Sequence, residues 1–149
     1  MEDSRVFGNF DSFAEGSGLN CEGGDVEATR CTFEENGDLG LYFSSGSDHD
    51  QDDARARVEL VDCVIRKKGD DGLFVNGGEV TLRGGTISKN QGHGVWASTD
   101  AKVTVVKVEE GKLRTVCKDN GNSDWHTVSF VQRPGEIIGI PQEKISAWD

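Results

Sequence analysis

The chain has 149 residues, of which 20 are glycine, two are proline and 34% are hydrophobic, and this is enough for one domain with its own core. Its formal net charge of −11 at pH 7 disfavours nucleic acid and anionic membranes as partners and favours cations or basic surfaces. No apolar run is long enough to cross a membrane and no signal-peptide pattern is present in the given chain, so we expect a soluble protein of undetermined location.

Residues 1–17 contain three phenylalanines among polar residues and no clean copy of the repeat that begins at Gly18. The end of a stacked β-structure exposes core residues and unpaired strand edges, so some segment must cover it. We therefore predict that residues 1–17 form an N-terminal cap or a partial first coil.

A repeat of about 22 residues follows. Each copy opens with a glycine and an apolar residue, and these glycines are Gly18, Gly40, Gly72 and Gly94. The first two and the last two are 22 residues apart, whereas the middle spacing of 32 includes a ten-residue acidic insertion after Ser47. A fixed period near 22 residues is typical of a solenoid.

Three short runs of alternating apolar and polar residues recur within each repeat, as expected for strands that bury one face. The inward positions of the first run are Leu19 and Cys21, Leu41 and Phe43, Leu73 and Val75, and Val95 and Ala97. Three such strands per repeat, separated by Gly, Asn and Asp turns, predict an all-β fold. The predicted architecture is a parallel β-helix of about four to five coils over residues 18–131, with neighbouring coils about 4.8 Å apart.

Two ladders of stacked side chains are expected between these coils. Asn36, Asn90 and Asn120 occur at one turn of different coils, where asparagine can bond the stacked backbones. Cys31 and Cys63 fall at matching inward positions of adjacent coils. Because side chains in a ladder run parallel, which is poor geometry for a disulfide, we favour two small buried thiols and keep a bridge as the alternative.

The register is less regular after Gly94, but the pattern continues. A coil ending near Asn120 is followed by residues 125–131, which match the first strand of a further repeat. Residues 132–149 are predicted to contain a last strand at 136–140 and a tail that could cap the C-terminal end.

The turns before the first strands carry a signature at residues 36–41 (NGDLGL), 68–73 (KGDDGL) and 90–95 (NQGHGV). In these turns and in its period, the chain resembles the right-handed parallel β-helix family. That pectate-lyase-like group includes polysaccharide lyases, polygalacturonases and non-enzymatic regions of some F-box proteins. The resemblance covers residues 18–106 and, with the bias of parallel crossovers, implies a right-handed helix. It does not identify an activity, because function lies in sites grafted on folds.

The first strand of each repeat places side chains on the outside of the helix. Three aromatic residues alternate with inward residues and stack in one outward column: Tyr42, Phe74 and Trp96. Three polar residues form a parallel column two positions further on: Ser44, Asn76 and Ser98. Aromatic faces stack on sugar rings, hydroxyl and amide groups hydrogen-bond to them, and the resembled family uses this sheet as its substrate groove.

We therefore predict a non-catalytic module that binds a polysaccharide or a protein partner through this face. Three aligned exposed aromatic residues are unusual on a soluble surface, so an alternative is that the chain's own loops cover them. A purely structural segment, stacked end to end on further coils of a parent chain, needs no site at all.

A second alternative is a polysaccharide-active enzyme that uses Asp70, Asp71 and His93. The sequences GDDG and GHG, one coil apart, resemble a motif pair of polygalacturonases, which perform inverting hydrolysis with separated carboxylates. However, the preceding coil has Leu39 at the position of Asp71, and the NTD and RIK motifs of those enzymes are absent from the sequence. A lyase would need a calcium cluster and a base that no motif places here. Whether the chain is an enzyme therefore stays open.

Calcium is the only cofactor for which the sequence offers residues. Asp48, Asp50 and Asp52 alternate in the acidic insertion and resemble the start of a calcium-binding loop. Against this, Asp53 takes the place of the usual glycine and Glu59 belongs to a strand, so a solvated acidic loop is the favoured interpretation.

Overall fold

Sixteen short strands and one turn of 3-10 helix make up the secondary structure of the described part of the chain. The computed structural model describes residues 1–7, 16–44, 56–66, 68–98, 100–106, 115–128 and 135–148, and only the backbone of residues 6, 7, 128 and 148. In each coil the chain passes through three strands in the same order, so that every third strand stacks into one sheet. We number the three sheets in that order.

Every described strand pair is parallel. Sheet 1 contains β2 (Leu19–Glu22), β5 (Leu41–Ser44), β8 (Leu73–Asn76), β11 (Val95–Ala97), β14 (Trp125–Val128) and β16 (Ile145–Trp148). Sheet 2 contains β3 (Asp25–Thr29), β6 (Arg57–Val61), β9 (Gly78–Arg83), β12 (Ala101–Val105) and β15 (Glu136–Ile138). Sheet 3 contains β1 (Arg5–Phe7), β4 (Thr32–Glu34), β7 (Val64–Arg66), β10 (Thr86–Ser88) and β13 (Val116–Lys118). The 3-10 turn spans Gln142–Lys144.

The strand register matches the alignment derived from the sequence. Leu41 pairs with Leu19 on one side and with Leu73 on the other, as the glycine spacing requires. After the one-residue insertion in the fourth repeat, Val103 still pairs with Val80. The predicted all-β solenoid of stacked parallel coils is therefore confirmed, with about five coils in the described residues.

The inward residues of the three sheets form one continuous core. Leu41, Phe43, Leu73 and Val75 are fully buried in sheet 1, and Leu82 of sheet 2 faces them with 2% of its surface exposed. Burying apolar side chains of this size contributes roughly 1.5 to 3 kcal/mol each, which makes this core the main source of stability.

The two cysteines on adjacent coils are buried with free thiols. Cys31 Sγ donates to the Thr29 carbonyl oxygen at 3.4 Å, and Cys63 Sγ donates to the Ala28 carbonyl oxygen at 3.3 Å. Burial raises the pKa of the Cys63 thiol. Of the two interpretations, the structure shows the ladder of small buried side chains.

The turn that leads into sheet 1 explains the repeated glycine. A Cβ atom at Gly72 would lie 2.6 Å from Asn90 Nδ2, and one at Gly94 would lie 2.6 Å from Asn120 Nδ2. The asparagines form the expected ladder, because Asn90 Nδ2 donates to Asn120 Oδ1 at 2.8 Å. Glycine is required here because the amide of the next coil occupies the space of a side chain.

Lys68 occupies the ladder position of the third coil, between Asn36 and Asn90, and the sequence analysis did not predict this. Its main-chain N–H donates to Asn90 Oδ1 at 3.3 Å, and its side chain is 1% exposed. The amine Nζ has no hydrogen-bond partner among the described residues. Burial lowers the pKa of Lys68 to about 8, against the opposing influence of the Glu34 carboxylate.

The two ends of the chain extend the sheets. At the N-terminus β1 pairs with β4, and the Met1 amino group donates to the Glu27 carbonyl oxygen at 2.7 Å. At the C-terminus β15 lies within the predicted 136–140 strand, but it is not the last strand, because β16 follows and pairs with β14. The short segment β16 lacks the glycine turn that marks the other first strands, so the repeat pattern did not predict it. The predicted domain boundaries at residues 17 and 131 stay predictions.

Candidate functional site

Sheet 1 carries one continuous column of outward side chains across six coils. The strand register stacks them in the order Asn20, Tyr42, Phe74, Trp96, His126 and Ser146. They point outward because each is flanked by inward residues on a strand whose side chains alternate. We call this set the outer column.

The three aromatic rings of the outer column pack directly on one another. The Tyr42 and Phe74 ring centroids are 5.4 Å apart at 41°, and the Phe74 and Trp96 centroids are 5.0 Å apart at 45°. Tilted pairs at this distance stabilise each other by about 0.5 to 1.5 kcal/mol. All three rings are half-buried rather than exposed as the sequence analysis expected, because each covers part of its neighbour.

The polar column beside the rings is assembled as predicted for two of its members. Ser44 pairs in register with Asn76, and Ser44 is buried while Asn76 is half-buried. Ser98 follows the end of β11, is half-buried, and donates its main-chain N–H to the Val75 carbonyl oxygen at 2.8 Å. Hydroxyl and amide groups therefore lie along one side of the aromatic rings.

The two aspartates of the GDDG turn meet at Gly92. A Cβ atom at Gly92 would lie against the carboxylate oxygens of both Asp70 and Asp71, so glycine at this position admits both groups. Asp71 is 2% exposed, and its Oδ1 accepts the main-chain N–H of His93 at 2.6 Å. Burial raises the pKa of Asp71 to about 7, and the charges of Asp70 and Asp38 add to the effect. Asp70 is exposed, yet partial desolvation and the nearby Asp38 raise its pKa as well.

His93 directs its imidazole away from this main-chain contact. Its Nδ1 lies 2.7 Å from Ser123 Oγ, and its ring stacks on His126 with centroids 4.1 Å apart. The edge of the Trp96 indole meets the His93 ring at 5.4 Å and 70°. Burial, assisted by repulsion from His126, lowers the pKa of His93 to about 4.

The structure thus brings Asp70, Asp71 and His93 to the same edge of the outer column, where their chemistry is restricted. Asp71 is partly protonated at neutral pH, but it is buried and bound to main chain. A general base works best when its pKa is near the working pH, and the pKa of His93 is well below neutrality. These properties favour a structural role for Asp71 and His93.

Sequence reasoning missed three residues at this end of the column: Ser123, His126 and Ser146. His126 could have been found, because it is the second residue of the predicted strand at 125–131 and alternation places it outward. Ser123 stands where Asp71 and His93 stand in earlier coils, but the irregular coil before it obscured the match. Ser146 lies on β16, which no repeat signal marks.

The predicted calcium ligands Asp48, Asp50 and Asp52 lie outside the described residues. Within the described ranges, no group of three or more His, Cys, Asp or Glu side chains is arranged to hold a metal ion. No helix in this part of the chain is long and apolar enough to cross a membrane.

Comparison with known proteins identifies the fold family. A family model described as a right handed beta helix region matches residues 1–109. The chain belongs to this family. Membership of the right-handed β-helix family confirms the resemblance seen in the turns and the predicted hand of the helix. No curated protein and no solved structure matches the chain. The family description names a fold and no activity, so it does not assign a function.

Proposed function

We propose that this right-handed β-helix is a non-catalytic module that binds a glycan along the outer face of sheet 1. The observation that carries the proposal is the row of packed, half-buried rings of Tyr42, Phe74 and Trp96 in the outer column. A sugar ring can lie against such a row while its hydroxyl groups reach Asn76 and Ser98 beside it. The rigid sheet keeps these groups in place without an ordering cost on binding.

Charge narrows the class of glycan. The chain carries a formal net charge of −11, and the carboxyl groups of Asp38, Asp70 and Asp71 lie together at the edge of this face. Like charges across an interface disfavour a complex. A neutral or amine-bearing polysaccharide therefore suits the site better than an acidic one.

Glycan binding can be tested with a panel of neutral, amine-bearing and acidic polysaccharides. Trp96→Ala and Phe74→Ala should each weaken binding about tenfold, which corresponds to the loss of about 1.4 kcal/mol of aromatic contact. Ile138→Ala is the matched control, because Ile138 is an exposed apolar residue on sheet 2. Equal binding by all three variants would rule out the outer column as the site. Silence of the wild type on every glycan would favour a protein partner or a structural segment.

A polysaccharide-active enzyme is the second candidate, and the raised pKa of Asp71 beside the outer column supports it. A carboxyl group that keeps its proton near neutral pH is what a general acid requires. The same panel can be assayed for new reducing ends. Reducing ends that appear with the wild type and disappear with Asp71→Asn would replace the binding module by an enzyme.

A further inference from the structure

Four polar side chains at the C-terminal end of the outer column are joined by short hydrogen bonds. His93 Nδ1 lies 2.7 Å from Ser123 Oγ, which lies 2.8 Å from Ser146 Oγ. Ser146 Oγ in turn lies 2.8 Å from His126 Nδ1. The two imidazoles stack with centroids 4.1 Å apart and planes 13° from parallel, which closes the circuit. We call these four side chains the His–Ser ring.

The His–Ser ring ties together segments that are distant in sequence. His93 precedes β11, Ser123 precedes β14, His126 lies on β14 and Ser146 lies on β16. In the described part of the chain, β16 is the last strand of sheet 1 and pairs with β14 alone. Ser146 therefore adds a side-chain tie to an edge strand that is held otherwise by its main-chain pairing and by Ile145 against the core.

Counting hydrogens defines the protonation state of the ring. Three hydrogen bonds need three hydrogens, and the two hydroxyl groups supply two of them. One imidazole Nδ1 must therefore carry a hydrogen while the other Nδ1 is bare, so the neutral rings are opposite tautomers. A first added proton fits at Nε2 of the ring that already carries the Nδ1 hydrogen. A second proton puts hydrogen on both Nδ1 atoms and forces two donors to face each other.

The surroundings resist charge on this ring. His93 is 6% exposed and His126 is 1% exposed, and burial lowers the pKa of each imidazole. Two carboxylates lie nearby, but Asp71 binds the main-chain N–H of His93 and Asp124 binds the asparagine ladder. The residues packed on the imidazoles from β11 and β16 are the neutral Trp96 and Ser146.

We propose that the His–Ser ring is an acid-sensitive latch that holds β16 on β14. While both imidazoles are neutral, the three hydrogen bonds form together and Ser146 keeps the strand in place. In acid, positive charge builds up on the stacked rings, the contact of His126 with Ser146 is lost, and β16 is released from the end of sheet 1. The latch rests on these contacts alone and does not depend on what the outer column binds.

Two other roles suit this geometry less well. A single metal ion cannot lie in the planes of two rings that stack face to face at 13°. An activated serine needs a base with a pKa near the working pH, and the pKa of His93 is about 4.

The tautomers provide the first test and need no variant. Side-chain nitrogen NMR of the full chain at pH 7 should show one of the two latch histidines as the Nδ1–H tautomer and the other as the Nε2–H tautomer. His49→Gln assigns the third set of histidine signals, since the chain has three histidines. Two identical tautomers, or a charged imidazole at pH 7, would overturn the latch.

Release of the strand provides the second test, measured by hydrogen exchange between pH 7 and pH 4. Protection of the Ser146 and Ala147 amides should fall about tenfold more than protection of the β8 amides, which report global opening. Ser146→Ala should remove this excess and leave β16 weakly protected at both pH values, whereas Ser146→Thr should restore it. Thr81→Ala, a hydroxyl removed from sheet 2, is the control that should behave as wild type. Equal acid loss in β16 and β8, or an unchanged response in Ser146→Ala, would refute the proposal.

Discussion

Sheets 1 and 2 have the same stacked backbone and similar inward residues, but their outer sides differ. On sheet 2 the first outward column alternates in charge from coil to coil: Asp25, Arg57, Glu79, Lys102 and Glu136. All five are exposed, and opposite charges on neighbouring strands support the register. Sheet 1 and the turn leading into it instead hold aromatic rings and buried titratable groups. The inward face thus builds the fold in both sheets, while the outward face distinguishes them.

This contrast predicts different responses to solution conditions. Buried titratable groups with shifted pKa values link stability to pH, whereas exposed ion pairs contribute little and are screened by salt. Three predictions test the contrast, each by changing the groups of one sheet.

The largest effect is expected from Asp71 and His93, whose linkages have opposite signs. His93 has a lowered folded-state pKa of about 4, so its contribution is present above pH 6.5 and is lost as pH falls towards 4. Asp71 has a raised folded-state pKa of about 7, so its contribution is present below pH 3.8 and is lost as pH rises through 7. Each amounts to roughly 3 to 4 kcal/mol, and in the wild type the two largely cancel.

Single variants should expose each linkage. Between pH 7 and pH 4.5, urea unfolding of Asp71→Asn should show stability falling on acidification, because only the His93 linkage remains. His93→Gln should show stability rising over the same interval, because only the Asp71 linkage remains. Parallel pH profiles for the two variants would contradict the burial-driven pKa shifts of this site.

A smaller effect is expected at Lys68, the buried amine in the turn that leads into sheet 1. Lys68→Asn should stabilise the fold by about 1 to 2 kcal/mol at pH 7, because it removes a buried charge and completes the asparagine ladder. The pKa of Lys68 is lowered from 10.5 to about 8, so the wild type pays its penalty below pH 8 and loses it by pH 10.5.

The gain from Lys68→Asn should therefore shrink between pH 8 and pH 10.5 in thermal or urea unfolding. Lys102→Asn is the control, because Lys102 is exposed on sheet 2. A gain that does not change with pH would show that volume, rather than charge, limits this position.

The smallest effect is expected on sheet 2. Arg83 pairs with Glu59 while both side chains are about half exposed, so Arg83→Gln should change the free energy of unfolding by less than about 1 kcal/mol. Salt at 1 M should reduce the difference further. A larger loss that persists in high salt would mean that the outer face of sheet 2 also contributes structurally, and the contrast between the faces would fail.

Most of the repeating architecture could be predicted because its signals are local. The 22-residue glycine spacing and the alternation around Leu41, Leu73 and Val95 placed the strands of sheet 1 in their observed register. The outer column was predicted up to Trp96 for the same reason. The prediction failed at β16, where the segment that returns to sheet 1 carries no turn signal.

The proposed site could be predicted only in part. The sequence placed Asp71 and His93 one coil apart, but it did not show that the carboxylate binds main chain while the imidazole binds Ser123. Hydrogen-bond partners depend on side-chain direction within a turn, which residue spacing does not specify.

By itself, the sequence determined the coil length, the inward positions and the hydroxyl, amide and aromatic groups offered outward, because each follows from a short periodic pattern. The tertiary structure alone decided that Ser146 meets Ser123 and His126, that Lys68 is buried in the ladder, and which imidazoles stack. Such contacts join residues 20 to 30 positions apart across a coil of irregular length, and burial is a property of all the segments packed around a group.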